Sequence, residues 1–435
     1  MVHAPEAVTL AQTLCDLGES DSSDLNKDRW DESMRSMPAR IPFLDPTEIS
    51  FARNLCGLDA GTDDLLIHCA DRIASNRPLA RLAWHATRCL YDYPEPTDFT
   101  RWPRLQSVAG ARAASASAHA MVQNEPGAWL LIIALSMVRR VIATHERLGV
   151  SADVTAQTCR QITCFAGNYS TGTRGGVGIY AKQMFWLRHY TEGRLFRLGR
   201  FEFMLKQLHD AIVLFRHRRT GYYLALAADG GRYDRDGYAV SDSKADAGAS
   251  DAFTAKLVLD QGSATGHPID PAGVVLRDPV QVDYSDWERT LASGDTVIDL
   301  HIPADGRMDP DACVESMRRA VDFFAHHFPE RQARSFWCSS WIFGPQLERI
   351  LSERSNLVRY LKQCYLLPVP STGGSLWFVY LDDHVDPSAA PRENSLQAAV
   401  SDFLAAGGRW RDAGMVFPVD RLDGFGSEPF RSSWS

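Results

Sequence analysis

Apolar residues in the first half of the chain recur at helical spacing. Between residues 46 and 192 they return every three or four positions, which places them on one face of a helix. The segments that follow this pattern include DDLLIHCADRIA, PLARLAWHATRCLYDY, the stretch 128–147 and ADVTAQTCRQITCFAG. We predict a helical N-terminal domain over 46–192, preceded by a mobile N-terminal segment over 1–45.

After residue 193 the pattern changes to short apolar runs bounded by turn residues, which is typical of strands. Single strands are predicted for LFRLGRFEFML, VVLRDPVQVDY, TVIDLHI, ARSFWCSSW, SNLVRYLKQCYLLPV and SLWFVYL. The segment AIVLFRHRRTGYYLALA predicts a β-hairpin. A stretch rich in Gly, Asp and Ser over 229–275 predicts long surface loops with one short strand, FTAKLVL.

One long helix interrupts these strands, and its start is well signalled. Asp309 is a helix cap, Pro310 suits the first helical position and Asp311 adds negative charge in the first turn. Its predicted buried face consists of Cys313, Met317, Ala320, Val321, Phe324 and Phe328. A short helix is predicted for GPQLERIL. Strands alternating with helices indicate a mixed sheet, so the fold class is α+β.

The mixed domain is predicted to span 193–380. A C-terminal extension over 381–435 follows, with one helix at SLQAAVSDFLAAG and a flexible tail. The 435 residues, 45% of them hydrophobic, are sufficient for two domains with sizeable cores.

Charge and composition exclude several classes of protein. The formal net charge of -8 provides no overall basic field for nucleic acid or for an anionic membrane, so neither partner is expected. The most apolar run, WLLIIALSMV, has ten residues, whereas a membrane span needs roughly 20. We interpret it as a buried helix.

The nine cysteines are scattered and never spaced C-x-x-C, which argues against a disulfide framework and a tetrahedral zinc site. The acidic N-terminus lacks the charged and apolar regions of a signal peptide. Both observations predict a cytoplasmic protein without a bound metal.

Nucleotide and hydrolase motifs are weak in this chain. GGVGIYA over 175–181 contains a partial dinucleotide fingerprint, but no strand precedes it, and a connection between the two halves is the alternative. The phosphate-binding P-loop, the serine-hydrolase elbow and the zinc-binding H-E-x-x-H motif are absent from the sequence.

The loop IPADGRMDP is a stronger candidate, because it leaves a strand and enters a helix N-terminus. Backbone N–H groups and the helix dipole favour an anion there, Gly306 would allow close approach of a phosphate, and Arg307 would add positive charge. An anion site is opposed by the negative charges of Asp305, Asp309 and Asp311, which would repel a phosphate. A structural corner with ordinary capping chemistry is the alternative.

Two candidate bases lie in predicted strands. Asp299 and His301 alternate, so both would share one face, where the carboxylate would orient the imidazole; a core histidine bonded to its neighbour is the alternative. Glu202 lies in an apolar strand, either as a base with a raised pKa or as an ion-pair partner of Arg197 or Arg200.

The segments LFRLGRFEF, GHPIDPAG, GDTVIDLHIPADGRM, SFWCSSWIFGPQLERIL and SNLVRY resemble a family of bacterial acyltransferase-like proteins. These proteins join a helical N-acyltransferase N-terminal domain to a GNAT-like C-terminal domain. The resemblance covers most of the chain from about residue 46 to residue 380. It implies that the mixed domain is GNAT-like and has a splayed central sheet.

The resemblance also implies where a CoA thioester binds. In the GNAT superfamily the acyl-CoA lies along the strand before the long central helix, and its pyrophosphate meets the N-terminus of that helix. TVIDLHI would be that strand. The implied cofactor-binding residues are Ile302, Ala304, Gly306, Arg307 and Met308.

The implied reaction is transfer of an acyl group from acetyl-CoA or another acyl-CoA to a small-molecule amine. Glu202 or His301 would remove the proton of the amine, and Tyr360 or Tyr365 would protonate the leaving thiolate. The loop PADGRMDPDA departs from the usual superfamily pattern, Gln/Arg-x-x-Gly-x-Gly/Ala. A catalytically degenerate, GNAT-shaped binding or regulatory protein is therefore the alternative.

Overall fold

The computed structural model describes residues 8–19, 25–102, 125–210, 212–240, 251–371, 374–382, 385–432 and 434. The chain divides into two compact units. The first, called the helical unit, comprises Met1–Arg197 and Pro303–Asp305; the second, called the sheet unit, comprises Leu198–Ile302 and Gly306–Ser435. Helices dominate the first unit and a mixed sheet the second, which confirms the α+β class.

Ten α-helices are described in the helical unit, and their limits follow local sequence signals. They are α1 (Leu10–Asp16), α2 (Trp30–Arg35), α3 (Pro46–Cys56), α4 (Asp63–Ser75), α5 (Arg77–Tyr91), α6 (Glu125–Leu135), α7 (Met137–Leu148), α8 (Ala152–Cys159), α9 (Gln161–Gly172) and α10 (Leu187–Thr191). Asp45 begins α3 by accepting a hydrogen bond from the N–H of Thr47 at 3.0 Å. Gly57 ends the same helix with a φ of 75°, a conformation that glycine adopts without strain.

The structure differs from the predicted mobile segment over 1–45. Within the described part of that segment, α1 and α2 bury Leu10, Leu14 and Trp30. The indole Nε1 of Trp30 donates a hydrogen bond to the carbonyl of Val8 at 2.8 Å. These helices are only seven and six residues long, which is too short for a helical period to be recognised.

The apolar run WLLIIALSMV lies in α6 and α7. Residues 127–148 are long and apolar enough to cross a membrane by length and composition alone, and 72% of the apolar window is buried inside the structure. Trp129, Leu131 and Ile132 are almost completely enclosed. The prediction of a buried helix is confirmed.

Sixteen strands lie in the part of the chain that the structure describes after residue 195. They are β1 (Phe196–Leu198), β2 (Phe201–Gln207), β3 (Val213–His217), β4 (Tyr223–Leu226), β5 (Arg232–Tyr233), β6 (Phe253–Thr254), β7 (Leu257–Leu259), β8 (Ser263–Gly266), β9 (Pro268–Asp270), β10 (Val274–Val275), β11 (Val280–Asp283), β12 (Trp287–Leu291), β13 (Thr296–His301), β14 (Ser335–Ser340), β15 (Tyr365–Pro368) and β16 (Ala413–Pro418). Six of them form the central sheet, in the order β1-β2-β13-β14-β16-β15.

The predicted hairpin belongs to a second sheet of five strands, in the order β10-β9-β4-β3-β12. β3 and β4 pair antiparallel from Val213↔Leu226 to Arg216↔Tyr223, so the hairpin is confirmed. The predicted strand FTAKLVL is divided between β6 and β7, which belong to two smaller sheets.

The sheet unit also contains α11 (Pro310–His327), α12 (Leu347–Ile350), α13 (Asn356–Gln363), α14 (Trp377–Tyr380) and α15 (Ser395–Ala405). The capping prediction for α11 is confirmed, because the carboxylate of Asp309 accepts a hydrogen bond from the N–H of Ala312 at 3.1 Å. Of its predicted buried face, Val321 and Phe328 are only half-buried, whereas Phe323 is buried instead.

Two predicted strands are helices. SNLVRYLKQCYLLPV forms α13 followed by the short strand β15, and SLWFVYL contributes α14. In the first case Val358 and Leu361 lie three positions apart and share a buried helix face, so the apolar residues fit both periods. The predicted helices at GPQLERIL and SLQAAVSDFLAAG are confirmed as α12 and α15.

The C-terminal extension contributes to the central sheet. β16 lies between β14 and β15, pairs antiparallel with both, and is buried along its whole length. Only a helix and a flexible tail were predicted there, since AGMVFP is a short apolar run among Arg, Pro and Ser residues. The structure therefore places an inner strand of the sheet after residue 380.

Candidate active site

β13 and β14 separate towards their C-terminal ends. The described register between them consists of Ile298↔Phe336 and Asp299↔Trp337. Beyond these pairs β13 remains bonded to β2 as far as His301, and β14 remains bonded to β16 as far as Ser340. Two parallel strands that part while each keeps its outer neighbour leave a V-shaped gap, which we call the splay. The predicted splayed sheet is confirmed.

Polar side chains follow one face of the sheet beside the splay. Residues paired across neighbouring strands share a face, and alternate residues of one strand share it too. His301 pairs with Glu202 and Asp299 pairs with Met204, so Glu202, Lys206, Asp299 and His301 lie on one face, called here the polar face. The register thus brings together both predicted base candidates.

Asp299 is a buried charge whose partners are defined. It is 3% exposed, and its Oδ2 lies 2.9 Å from Nζ of Lys206 and 3.1 Å from Nε2 of His301. Burial alone raises the pKa of Asp299, but the charges and hydrogen bonds of His301 and Lys206 outweigh it, so the net pKa lies below the ordinary value. Asp299 is therefore ionised at neutral pH.

His301 is oriented by Asp299. Because Nε2 faces the carboxylate, a neutral ring carrying its proton on Nε2 has Nδ1 as its basic atom. The side chain of His301 is 23% exposed, whereas Glu202 is only 1% exposed. The imidazole is at ion-pair distance from its neighbour Asp299, and it is also partly exposed to solvent. Of the two base candidates, His301 is the accessible one.

Tyr360 does not lie where a leaving thiolate would need it. Its ring packs on Phe201 at 5.6 Å between centroids, and Phe201 alternates with Glu202, so Tyr360 contacts the opposite face of the sheet. The hydroxyl donates to Sδ of Met317 at 3.9 Å, and burial raises the pKa of Tyr360 well above its usual value. We correct its predicted role as the acid to that of a core residue.

Tyr365 is also a core residue. Its hydroxyl donates to the carbonyl of Ile269 and accepts from the N–H of Ala225 at 3.1 Å. Burial raises the pKa of Tyr365, so the ring retains its proton inside the core. The hydroxyl joins β15 to the second sheet and is enclosed, which corrects the prediction that it protonates a thiolate.

Arg200 holds the loop that follows β13, a contact that no local sequence pattern indicates. This residue is 9% exposed; its Nε donates to the carbonyl of Arg307 at 2.8 Å and its Nη2 to the carbonyl of Gly306 at 2.7 Å. The same Nη2 lies 3.6 Å from Sδ of Met308. The buried guanidinium therefore binds two successive peptide oxygens of the loop.

This contact determines the direction of two backbone N–H groups. In a trans peptide the C=O and N–H bonds point in opposite directions. Since the carbonyls of Gly306 and Arg307 face Arg200, the N–H groups of Arg307 and Met308 point away from it. Two aligned N–H groups beside the exposed side chain of Arg307 form an arrangement that favours an anion.

The five predicted cofactor-binding residues have different environments. Gly306 and Arg307 are exposed, Ile302 is half-buried, and Met308 is buried against Arg200. Ala304 is exposed and belongs to the helical unit. A Cβ atom on Gly306 would contact Nε of Arg200 at 3.4 Å, close to an ordinary van der Waals distance.

Two of the three acidic residues that opposed an anion site, Asp305 and Asp309, have defined partners. In the helical unit, Asp305 forms an ion pair with Arg197 at 3.0 Å. Asp309 caps α11 and so already occupies one N–H group of the helix N-terminus. The N–H groups of the loop are therefore more available to an anion than those of the helix N-terminus.

Metal chemistry has no visible ligand set in the described part of the chain, where no group of three or more His, Cys, Asp or Glu side chains could hold an ion.

Comparison with known proteins identifies a family. A model of the family described as GNAT-like C-terminal domain matches residues 195–417, more than half of the chain. One similar solved structure is an acyltransferase in complex with decanoyl-CoA and teicoplanin, with 19% identity, 86% of this chain and 99% of that chain covered, and a TM-score of 0.47. Another is an acyltransferase mutant in complex with octanoyl-CoA, with 19% identity, the same coverage and a TM-score of 0.46. No curated protein matches.

Proposed function

The chain belongs to the GNAT-like C-terminal domain family, and from this premise we propose that it is an acyltransferase that transfers the acyl group of a CoA thioester to the amine of a small molecule. One observation carries the proposal: β13 and β14 part after Asp299↔Trp337, next to a partly exposed histidine. In GNAT folds such a gap receives the thioester.

Binding of the CoA moiety is proposed at the loop after β13. The N–H groups of Arg307 and Met308, directed outward by Arg200, would donate to the pyrophosphate, and the Arg307 guanidinium would add positive charge. The edges of β13 and β14 that face the splay would then accommodate the pantetheine arm as an additional strand, with peptide groups that bond the amides of the arm.

His301 is the proposed base. As the amine attacks the thioester carbonyl, Nδ1 of His301 would take the proton that the nitrogen loses, and Asp299 would stabilise the imidazolium. This division of roles needs the carboxylate to be ionised, as the lowered pKa of Asp299 supports. Glu202 is paired opposite His301 and lies on the same face of the sheet.

The proposal is tested by mixing the purified protein with acetyl-CoA or a longer acyl-CoA and a panel of amines, and measuring release of the CoA thiol. We expect thiol release that depends on the amine, and a fall in kcat of about 100-fold or more for His301→Gln. His326→Gln, on an exposed histidine of α11, is the matched control and should retain full activity.

Three other outcomes would contradict all or part of this proposal. Acyl-CoA binding without turnover by any amine would favour the alternative of a non-catalytic binding protein. Full activity of both His301→Gln and Glu202→Gln would show that the base is elsewhere. Absence of binding to every acyl-CoA would refute the CoA-dependent function itself.

A further inference from the structure

The burial of Tyr360 and Tyr365 leaves the departing thiolate without the partner that the sequence suggested. Resting on the function proposed above, we infer that Ser339 is a catalytic residue, whose hydroxyl donates a hydrogen bond to the thioester sulfur as the C–S bond breaks. Three features of the sheet unit lead to this residue: the strand register, the pattern of burial along β14, and the side-chain directions of its neighbours.

The register places Ser339 across the splay from His301. Asp299 pairs with Trp337, and each of the two residues in question lies two positions further along its own strand. Two positions restore the same face of a strand, so Ser339 and His301 lie on the polar face, at equal depth, on opposite sides of the gap. A thioester in the splay would therefore lie between the base and this hydroxyl.

The burial pattern of β14 is interrupted at this residue. The strand is buried from Ser335 to Cys338, whereas Ser339 is exposed. Its partner on β16 is Gly414, which contributes no side chain to the polar face. The space above Gly414 is occupied by Val369, whose Cγ1 would lie 3.2 Å from a Cβ at this position, so the exposure of Ser339 is assigned to the side of the splay.

Neighbouring side chains on β14 are unsuited to the role. Cys338 projects to the opposite face and is buried, and its thiol has a pKa well above the ordinary value because of that burial. Ser340 also projects to the opposite face, where its Oγ accepts a hydrogen bond from the N–H of Ile342 at 3.4 Å. Ser339 is the residue of this strand end that combines exposure with the correct face.

The chemical step balances without any further reactant. The amine nitrogen forms a bond to the thioester carbon, His301 takes one N–H proton, and the C–S bond breaks with its electron pair on sulfur. The hydroxyl of Ser339 stabilises that developing thiolate through a hydrogen bond and remains a neutral alcohol. The proton held by His301 then passes to sulfur, giving the amide, free CoA and neutral His301.

The experiment compares Ser339→Ala with Ser340→Ala, the matched control one residue further along β14. For Ser339→Ala we expect kcat to fall by about 100-fold with acyl-CoA, as for other single donors to developing charge, while Kd for acyl-CoA measured by calorimetry stays within about threefold. Ser339→Thr retains a hydroxyl and should recover most of the activity. Ser340→Ala should behave as the wild type.

A second measurement separates stabilisation of the thiolate from a structural role. With an acyl thiophenyl ester, whose thiolate is a much weaker base, the difference between wild type and Ser339→Ala should narrow to about tenfold or less. An equal loss on both thioesters, or unchanged kcat with acyl-CoA, overturns the role of Ser339 while leaving the acyltransferase function intact. A wild-type protein that transfers no acyl group overturns both.

Discussion

Asp299 remains charged within the sheet because its Oδ2 lies within 3.1 Å of two basic groups. A buried carboxylate without such partners would be protonated, since removing a charge from water costs more than neutralising it. Lys206 holds the charge from one side, and His301 receives its orientation from the other. The same contact therefore contributes to stability and prepares the imidazole for accepting a proton.

Asp299→Asn should destabilise the protein by about 2 kcal/mol at pH 7, because Lys206 and His301 lose their common partner. The folded-state pKa of Asp299 is depressed below its ordinary value of 3.8. Its stabilisation is accordingly present above about pH 4 and is lost as the pH falls through the lower, folded-state pKa. Urea unfolding followed by circular dichroism at pH 7 and at successively lower pH measures this difference.

The matched control is Asp295→Asn, a change in the turn before β13 where the carboxylate accepts from the N–H of Ala292 at 2.8 Å. This turn is exposed, so its loss should be smaller at every pH. If the difference between wild type and Asp299→Asn were the same at pH 3 as at pH 7, the buried charge would not be the source of the effect.

At the scale of single elements, α11 begins next to the proposed pyrophosphate site. Asp309 contributes in two opposite ways: its carboxylate caps the helix, and its negative charge opposes a bound phosphate. The negative charge of Asp309 is thus one physical consequence of the difference between this loop and the usual superfamily pattern. The two effects can be separated, because an asparagine caps a helix as well as an aspartate does.

Asp309→Asn should leave the free energy of unfolding within about 0.5 kcal/mol of the wild type and tighten CoA binding about threefold, since the cap stays while the charge is removed. Asp309→Ala should cost about 1 kcal/mol through loss of the cap. Calorimetric titration with CoA and urea unfolding measure the two quantities. Weaker CoA binding by Asp309→Asn would contradict a phosphate site at this loop.

At the scale of the whole molecule, the chain completes its central sheet with almost its last residues. β16 lies between β14 and β15 in the sheet. In the sequence it follows β14 by more than 70 residues and β15 by about 50, so both pairings are long-range contacts. The position of Ser339 depends on this pairing through Gly414. The proposed site is therefore complete only when the C-terminal segment has been inserted.

Val416→Asp should destabilise the protein by more than about 4 kcal/mol, because it buries an unpaired charge within β16. Val258→Asp is the matched control: its side chain is 51% exposed on β7, and we expect a change within about 0.5 kcal/mol. Thermal unfolding by circular dichroism compares the two variants. Comparable stability of both would contradict an inner position for β16.

Local signals were sufficient for many of the elements. The caps at Asp309 and Pro310 predicted the start of α11, and the turn RRTG predicted the β3–β4 hairpin, because each depends on neighbouring residues alone. The period of apolar residues failed where a segment was short or fitted two periods. α13 was predicted as a strand for this reason, and β16 was missed inside a polar tail.

In the candidate site, too, some features follow from the local sequence and others only from the tertiary structure. Alternation along one strand predicted that Asp299 and His301 share a face, and the pairing with Lys206 and Glu202 followed only from the register between strands. Tyr360 was a reasonable acid by residue type, yet its face of the sheet depends on how α13 packs. Arg200 binds the carbonyl of Arg307, a contact between residues 107 positions apart that no local pattern indicates.

By itself, therefore, the sequence determined the α+β class, the strand–loop–helix order around residues 294–328, and the acidic cap at the loop, because these follow from spacing and from interactions between near neighbours. The tertiary structure decided which strands part, which side chains face the gap and which hydroxyls are enclosed. Those properties depend on pairing and packing between residues far apart in the chain, where the free energy of burial outweighs local preference.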